Sequence, residues 1–313
     1  NLLTQYRQGY TFLRGTASGP DGKVWSTAYV EDVVVRISTA GALEEFAVPP
    51  GARPWDIAAG PDNAMYFTLQ GTNRIGRIDA TTLAYSDFPV PSGANPDGTP
   101  IVPNVYNLQG IVLGADGNLW FAEAVAKKIG RLTPAGVISE FPLGLLSSEP
   151  GFLTPRAAYN GAPQSGEIWF TESSGGQSIG RIGTDGTLLA EYPIISPDGG
   201  ITPSAPRGIG TGLDGAVWFS DSAWHRIGRV DPVSGVMTFP VDLDTLRPGS
   251  NPQQVLGLAS GDIWFTLGGA KTIGRFQIDA SGAVLNVAPP NVTFTPQGTY
   301  QNSPRIYSTA SSI

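Results

Sequence analysis

Ala216-Val217-Trp218-Phe219-Ser220-Asp221-Ser222-Ala223-Trp224-His225-Arg226-Ile227-Gly228-Arg229-Val230 decides how the rest of the chain is read. An aromatic pair leads to an acidic residue, then to a short loop with the chain's single histidine, then to Ile-Gly-Arg. The phrase recurs. Its aromatic anchors are Trp25, Tyr66, Trp120, Trp169, Trp218 and Trp264, separated by 41, 54, 49, 49 and 46 residues. An arginine follows each anchor at nearly constant distance: Arg36, Arg77, Arg131, Arg181, Arg229 and Arg275. Before most anchors lies a Gly/Asp-rich turn, as in Gly19-Pro20-Asp21-Gly22 and Gly212-Leu213-Asp214-Gly215. Such turns supply the positive φ needed between paired strands.

Each unit reads as four short strands. Strand A runs into the Asp-Gly turn, B carries the aromatic pair, C carries Ile-Gly-Arg, and D is the Glu-Phe/Tyr-Pro segment, as in Glu140-Phe141-Pro142. Polar and apolar residues partly alternate, and no helical period lasts long enough for a core helix. Four-stranded units of 40 to 50 residues predict an all-β fold, a β-propeller. The whole chain, 1–313, reads as one such domain. Leu2-Leu3-Thr4-Gln5-Tyr6 matches the strand-D phrase, and Phe294 with Arg305-Ile306 repeats the Trp25/Arg36 spacing. The expectation is therefore seven blades, the last closed by both termini, which removes a free sheet edge. Six blades with a C-terminal extension is the alternative, because Arg275 and Arg305 are only 30 residues apart.

Composition narrows the function. The formal net charge is -7 and no basic run occurs, so the chain is not expected to bind nucleic acid or an anionic membrane. No apolar run approaches the ~20 residues that span a bilayer. Without cysteine there is neither a disulfide nor a thiolate nucleophile. Asn1 rather than Met opens the chain, which reads as removal of an N-terminal segment. With the glycosylation sequon Asn291-Val292-Thr293, this leads us to expect a secreted, monomeric glycoprotein.

Residues shared by every unit serve the scaffold, so function is sought where the units differ. Two positions per unit are expected at the loop-rich mouth of the channel. The start of strand A carries Arg14, Trp55, Gln109, Arg156, Arg207 and Gln253. The end of strand B carries Ala28, Leu69, Glu123, Glu172, Asp221 and Leu267, which puts carboxylates on three consecutive blades. His225 and Trp224 lie in the loop beside Asp221. Clustered acids and guanidinia shift one another's pKa values, as catalysis or metal binding requires. An ion-pair network plugging the mouth is the structural alternative.

Gly-Ile-x-x-Gly-x-Asp-Gly-x-x-Trp-Phe-x-Glu followed by Ile-Gly-Arg-Ile resembles the repeat of the virginiamycin B lyase (streptogramin lyase) family. Here it reads Gly110-Ile111 to Glu123 with Ile129-Gly130-Arg131, and Gly208-Ile209 to Asp221 with Ile227-Gly228-Arg229. The resemblance implies an Mg²⁺-assisted eliminase that opens a cyclic depsipeptide at its ester. It also implies a site that joins histidines at the starts of A strands to glutamates at the ends of B strands. The glutamate positions hold Glu123, Glu172 and Asp221, whereas the histidine positions hold Gln109, Arg156, Arg207 and Gln253.

The resulting expectation is a lyase, or a lactone- or ester-cleaving enzyme, acting on a small cyclic ester or acidic sugar. Glu172 or Asp221 serves as base and His225 as leaving-group acid, while Arg156 and Arg207 neutralise developing charge. A divalent cation, Mg²⁺ or Ca²⁺, suits Glu123, Glu172 and Asp221. Arg14, Trp55, Tyr106, Gln109, Trp224 and Gln253 contact the substrate. The alternative is a non-catalytic propeller that uses Trp55, Trp224, Tyr29 and Tyr106 to bind a saccharide, an amphiphile or a protein partner.

Overall fold

The computed structural model describes residues 13–91, 107–144, 149–156, 166–173, 177–199, 203–246, 248–268, 272–285 and 295–296. Blade one comprises β1 (Leu13–Ser18), β2 (Val24–Ala28), β3 (Val33–Ile37) and β4 (Leu43–Ala47). Blade two comprises β5 (Pro54–Ala59), β6 (Ala64–Leu69), β7 (Arg74–Asp79) and β8 (Tyr85–Pro89). Blade three comprises β9 (Leu108–Leu113), β10 (Leu119–Glu123), β11 (Lys128–Leu132) and β12 (Ile138–Pro142). Blade four comprises β13 (Pro150–Pro155), β14 (Glu167–Glu172), β15 (Ser178–Gly183) and β16 (Leu188–Pro193). Blade five comprises β17 (Pro206–Thr211), β18 (Val217–Asp221), β19 (Arg226–Val230) and β20 (Met237–Asp242). Blade six comprises β21 (Pro252–Gly257), β22 (Asp262–Leu267), β23 (Thr272–Gln277) and the two-residue β24 (Thr295–Pro296). Each sheet is an antiparallel meander in chain order, and the first strands of successive blades pack on one another. No described helix is long and apolar enough to cross a membrane.

The blade number corrects the sequence expectation: the described residues form six four-stranded blades, not seven. The segment next to Phe294 does not open a new sheet. Ile273 pairs with Thr295 and Thr272 with Pro296, so this segment is the outer strand of blade six. Closure by residues 2–6 and 305–310 lies outside the described residues.

The repeated phrase builds the seams. Five apolar clusters among the described residues are each shared by two consecutive blades, as where Trp120, Ile129, Leu153 and Phe170 meet. Trp25, Trp120, Trp169 and Trp218 are fully buried, each worth a few kcal/mol of transfer free energy, about 25 cal/mol per Å². Three of the four ring nitrogens are met. Trp25, Trp120 and Trp218 donate to Asp21, Asp116 and Asp214 of the preceding turn at 3.0, 3.1 and 3.1 Å, and the Tyr66 hydroxyl donates to Asp62 at 3.0 Å. Blade four has no such aspartate, and Trp169 Nε1 finds no acceptor among the described residues.

The repeated arginines complete these contacts. Arg36, Arg77 and Arg229 pair with Asp21, Asp62 and Asp214 at 3.1, 2.7 and 2.6 Å. Arg36, Arg131 and Arg181 also donate to carbonyls of Ala80, Thr184 and Pro232 in the next blade. The glycine of Ile-Gly-Arg seats the aromatic that follows the anchor. A Cβ at Gly76, Gly130, Gly180, Gly228 or Gly274 would collide with the ring of Phe67, Phe121, Phe170, Phe219 or Phe265.

Candidate functional site

Every first strand carries a register shift near its start. A bulge of this kind re-aims side chains and leaves backbone groups to be satisfied. The second-strand hydroxyls meet that need. Thr27, Thr68, Thr171, Ser220 and Thr266 accept from the amides of Gly15, Asp56, Phe152, Gly208 and Gln254. Three of them also donate across the seam: Thr27 to the carbonyl of Trp55, Thr68 to Gln109 and Ser220 to Gln253, at 2.7, 2.8 and 3.0 Å. Blade three has Ala122 at this position.

The bulges place one variable residue per blade at the end of the innermost strands that adjoins the loops between second and third strands. These residues are Arg14, Trp55, Gln109, Gly151, Arg207 and Gln253. Five of the six match the sequence expectation. Arg156 does not: it follows β13 at the opposite end, its amide bonds Glu167 and its guanidinium reaches Glu167 at 3.4 Å. Pro150 pairs with Glu172, so Gly151 takes the place assigned to Arg156. The long 156–166 connection moves the first strand back along the chain, and counting from Trp169 overshoots it.

Around this ring the chemistry is uneven. The Arg14 guanidinium lies 4.2 Å over the Trp55 ring and 5.5 Å from that of Tyr29, and the two rings meet edge to face at 5.5 Å. Gln253 donates to Asn251 Oδ1 at 2.6 Å. Arg207 is exposed. Tyr106 lies outside the described residues.

His225 occupies a recurring turn position. Asp32, Asn73, Lys127, Gln177 and His225 each precede the third strand with φ between 40 and 53°, and each carbonyl accepts an amide from the segment after the fourth strand. His225 Nδ1 bonds both oxygens of Asp244, at 2.8 and 3.0 Å. Gly249 N also donates to Asp244. Nε2 has no partner among the described residues, and the side chain is 28% exposed. Trp224, half-buried, precedes it. Asp244 escaped the sequence reading because its loop falls outside the repeat and carries no motif.

The three carboxylates do end the second strands, but they turn into their own blades. Glu123 is opposite Lys128, and Lys128 Nζ pairs with Glu140 at 2.7 Å. Burial first, then the Glu140 charge, pushes the Glu123 carboxyl up to about 8. Glu172 is fully buried, bonded by Ser178 Oγ and close to Glu191. Burial pushes it up to about 7. Asp221 accepts from Ala205 N and from Arg226 Nε, each at 3.0 Å, which occupies both oxygens. Its partner Arg226 is itself 3.4 Å from the Phe239 ring centroid. Glu123, Glu172 and Asp221, the expected ligands of Mg²⁺ or Ca²⁺, are thus each engaged by residues of their own blade or the segment leading into it. Among the described residues no group of three His, Asp or Glu side chains is placed to hold a metal ion.

Fold and site together define a β-propeller with a loop-bearing mouth and scaffold-bound acids. The virginiamycin B lyase family model matches residues 11–100 and 109–304, and the chain belongs to that family. A streptogramin B lyase structure is 28% identical with a TM-score of 0.77, covering 96% of this chain and 89% of that one. Virginiamycin B lyase from Staphylococcus aureus, as a catalytically inactive histidine-to-alanine variant with quinupristin, is 29% identical at a TM-score of 0.71, covering 90% and 86%. A putative 6-phosphogluconolactonase from Bacteroides uniformis, 15% identical at a TM-score of 0.65 and covering 94% and 90%, shares the fold. No curated protein sequence matches significantly.

Proposed function

We propose that this chain is a lyase-like enzyme that opens the ester of a small cyclic ester by elimination at the loop-bearing mouth. The observation that carries the reading is the His225–Asp244 pair. A carboxylate on Nδ1 fixes the ring and leaves Nε2 as the basic atom. His225 Nε2 takes the proton from the carbon next to a carbonyl. That C–H pair becomes the carbon–carbon double bond, and the bond from the neighbouring carbon to the ester oxygen breaks. The ring opens to an alkene and a carboxylate, and the imidazolium returns its proton to solvent. Arg207 faces the carboxylate, neutralising charge as it forms. It is two strand spacings from the His225 side of the blade, about 10 Å, a span suited to a cyclic substrate. Family membership supports the reaction class, and the exposed guanidinium supports the anionic leaving group.

Incubation with quinupristin and with simple lactones, followed by mass spectrometry, tests this. Elimination leaves the mass unchanged, whereas hydrolysis adds one water. His225→Gln is expected to lower kcat by about 10²-fold or more, with Arg207→Gln raising KM. Turnover at the parent rate in His225→Gln removes the histidine from the mechanism.

A second reading rests on Arg14, Tyr29 and Trp55. Stacked aromatic and guanidinium faces suit a saccharide or a planar amphiphile bound without turnover. Saturable quenching of tryptophan fluorescence by a sugar, lost in Trp55→Ala and with no product formed, would favour it.

A further inference from the structure

The two groups assigned to the reaction flank one row of residues across blade five. Pro206 of β17 pairs with Asp221 of β18, Asp221 with Arg226 of β19, and Arg226 with Asp242 of β20. Arg207 follows the first member of this row and His225 precedes the third. Between them stands the fully buried Asp221 carboxylate. One oxygen accepts from Ala205 N, two residues before Arg207, and the other from Arg226 Nε, next to His225, each at 3.0 Å. Ser222 holds the carbonyl of the same Ala205 through its amide and its hydroxyl, both at 3.0 Å. The Arg226 guanidinium also reaches the carbonyl of Ile195 at 3.3 Å and Ser204 Oγ at 3.5 Å. Both ends of the connection from blade four are thereby fastened to blade five. Stability alone does not call for this pair, because a buried ion pair gains little over apolar residues of similar size once both charges have left water. Blade six has Leu267 and Thr272 in the same register, with no charge at all.

We propose that Asp221 and Arg226 are positioning residues, whose ion pair fixes the span between Arg207 and His225 and so selects the ring size of the cyclic ester. This role rests on the reading of Arg207 and His225 as the reacting pair. A carboxylate shared between two strands acts as a spacer of fixed length. One oxygen sets the strand that leads to Arg207, and the other sets the residue beside His225. The span is two strand spacings, about 10 Å. A misplacement of about 1 Å can slow a reaction by about 10²-fold, so a ring too small or too large to meet both ends is turned over poorly. The equivalent positions in blades three and four hold Glu123 and Glu172, both buried, so the scaffold admits a spacer one methylene longer.

The span can be read without turnover. His225 is the chain's single histidine, so its ring gives one isolated set of NMR signals. Linear dicarboxylates from succinate to sebacate, titrated into the full chain at about pH 5, where a free imidazole is charged, bridge the two cations, and the His225 signal reports each Kd. The parent is expected to bind one chain length about 10-fold more tightly than the shortest and longest acids, since a bivalent ligand binds best when its length matches the span. Asp221→Glu should move that optimum to a longer acid. Asp221→Leu with Arg226→Thr, the blade-six pair, should fold and lose the preference. Lactones of rising ring size, followed by alkene formation, are expected to give the same three profiles, with the losses in kcat. No length preference in the parent, or an optimum that neither variant moves, overturns the proposal. A diacid optimum that moves with Asp221 while no lactone is opened supports the spacer and refutes the lyase reading alone. Should either variant fail to fold, the other decides.

Discussion

Glu123 is 1% exposed, and its carboxyl is held near 8 against an ordinary value of 4.5. Between those pH values the folded chain keeps a proton that the unfolded chain has lost. The stability this provides is complete below about 4.5 and is lost as pH rises through 8, a loss on the order of a few kcal/mol. Glu172 adds a loss of the same sign up to about 7. Urea midpoints are therefore expected to fall from pH 5 to pH 9, and Glu123→Gln should flatten much of that slope; an unchanged slope would contradict the burial argument. The clustering of these acids on three blades was legible in the sequence, but the direction they face was not. Facing is set by the register with Lys128 and by which outer-strand residue, Glu140 or Glu191, lies diagonally opposite. Arg156 was misplaced for a related reason: a count of residues does not show that a connection has lengthened.

Strand-level features were more legible, because they repeat. Trp-Phe and Ile-Gly-Arg read as scaffold, and the structure gives the cause: the glycine leaves room for the phenylalanine ring of the strand beside it. Blade one shows the complementary solution, with Ser26 opposite Val35 where the others pair Phe with Gly. Gly130→Val should destabilise by about 3 kcal/mol through overpacking. Adding Phe121→Ser should recover part of that loss, a positive coupling that a double-mutant cycle reads directly. The bulge hydroxyls were not anticipated. Thr68 serves the amide of Asp56 and the carbonyl of Gln109, so Thr68→Val strands two backbone groups at once. It should cost about 2–3 kcal/mol in denaturation, more than a surface threonine. Thr or Ser two residues after the anchor was the available signal, and it was masked by the aromatic pair.

For the whole molecule, the period revealed the propeller, while the blade number turned on a two-residue strand that no pattern marks. Neighbouring blades depend on one another through buried rings and through arginines that reach the next turn. Arg131→Met should therefore quicken amide exchange in the Gly183–Thr187 turn of blade four, although the substitution lies in blade three; exchange unchanged there would mean that the seam is held by packing alone. The seams are not equal. Thr27, Thr68 and Ser220 each stitch one sheet to the next, and Ala122 has no oxygen with which to do so. Among the seams between described blades, force applied across the disc, or a protease probing for slack, should find an early opening between the third and fourth, where a methyl group stands in place of a knot.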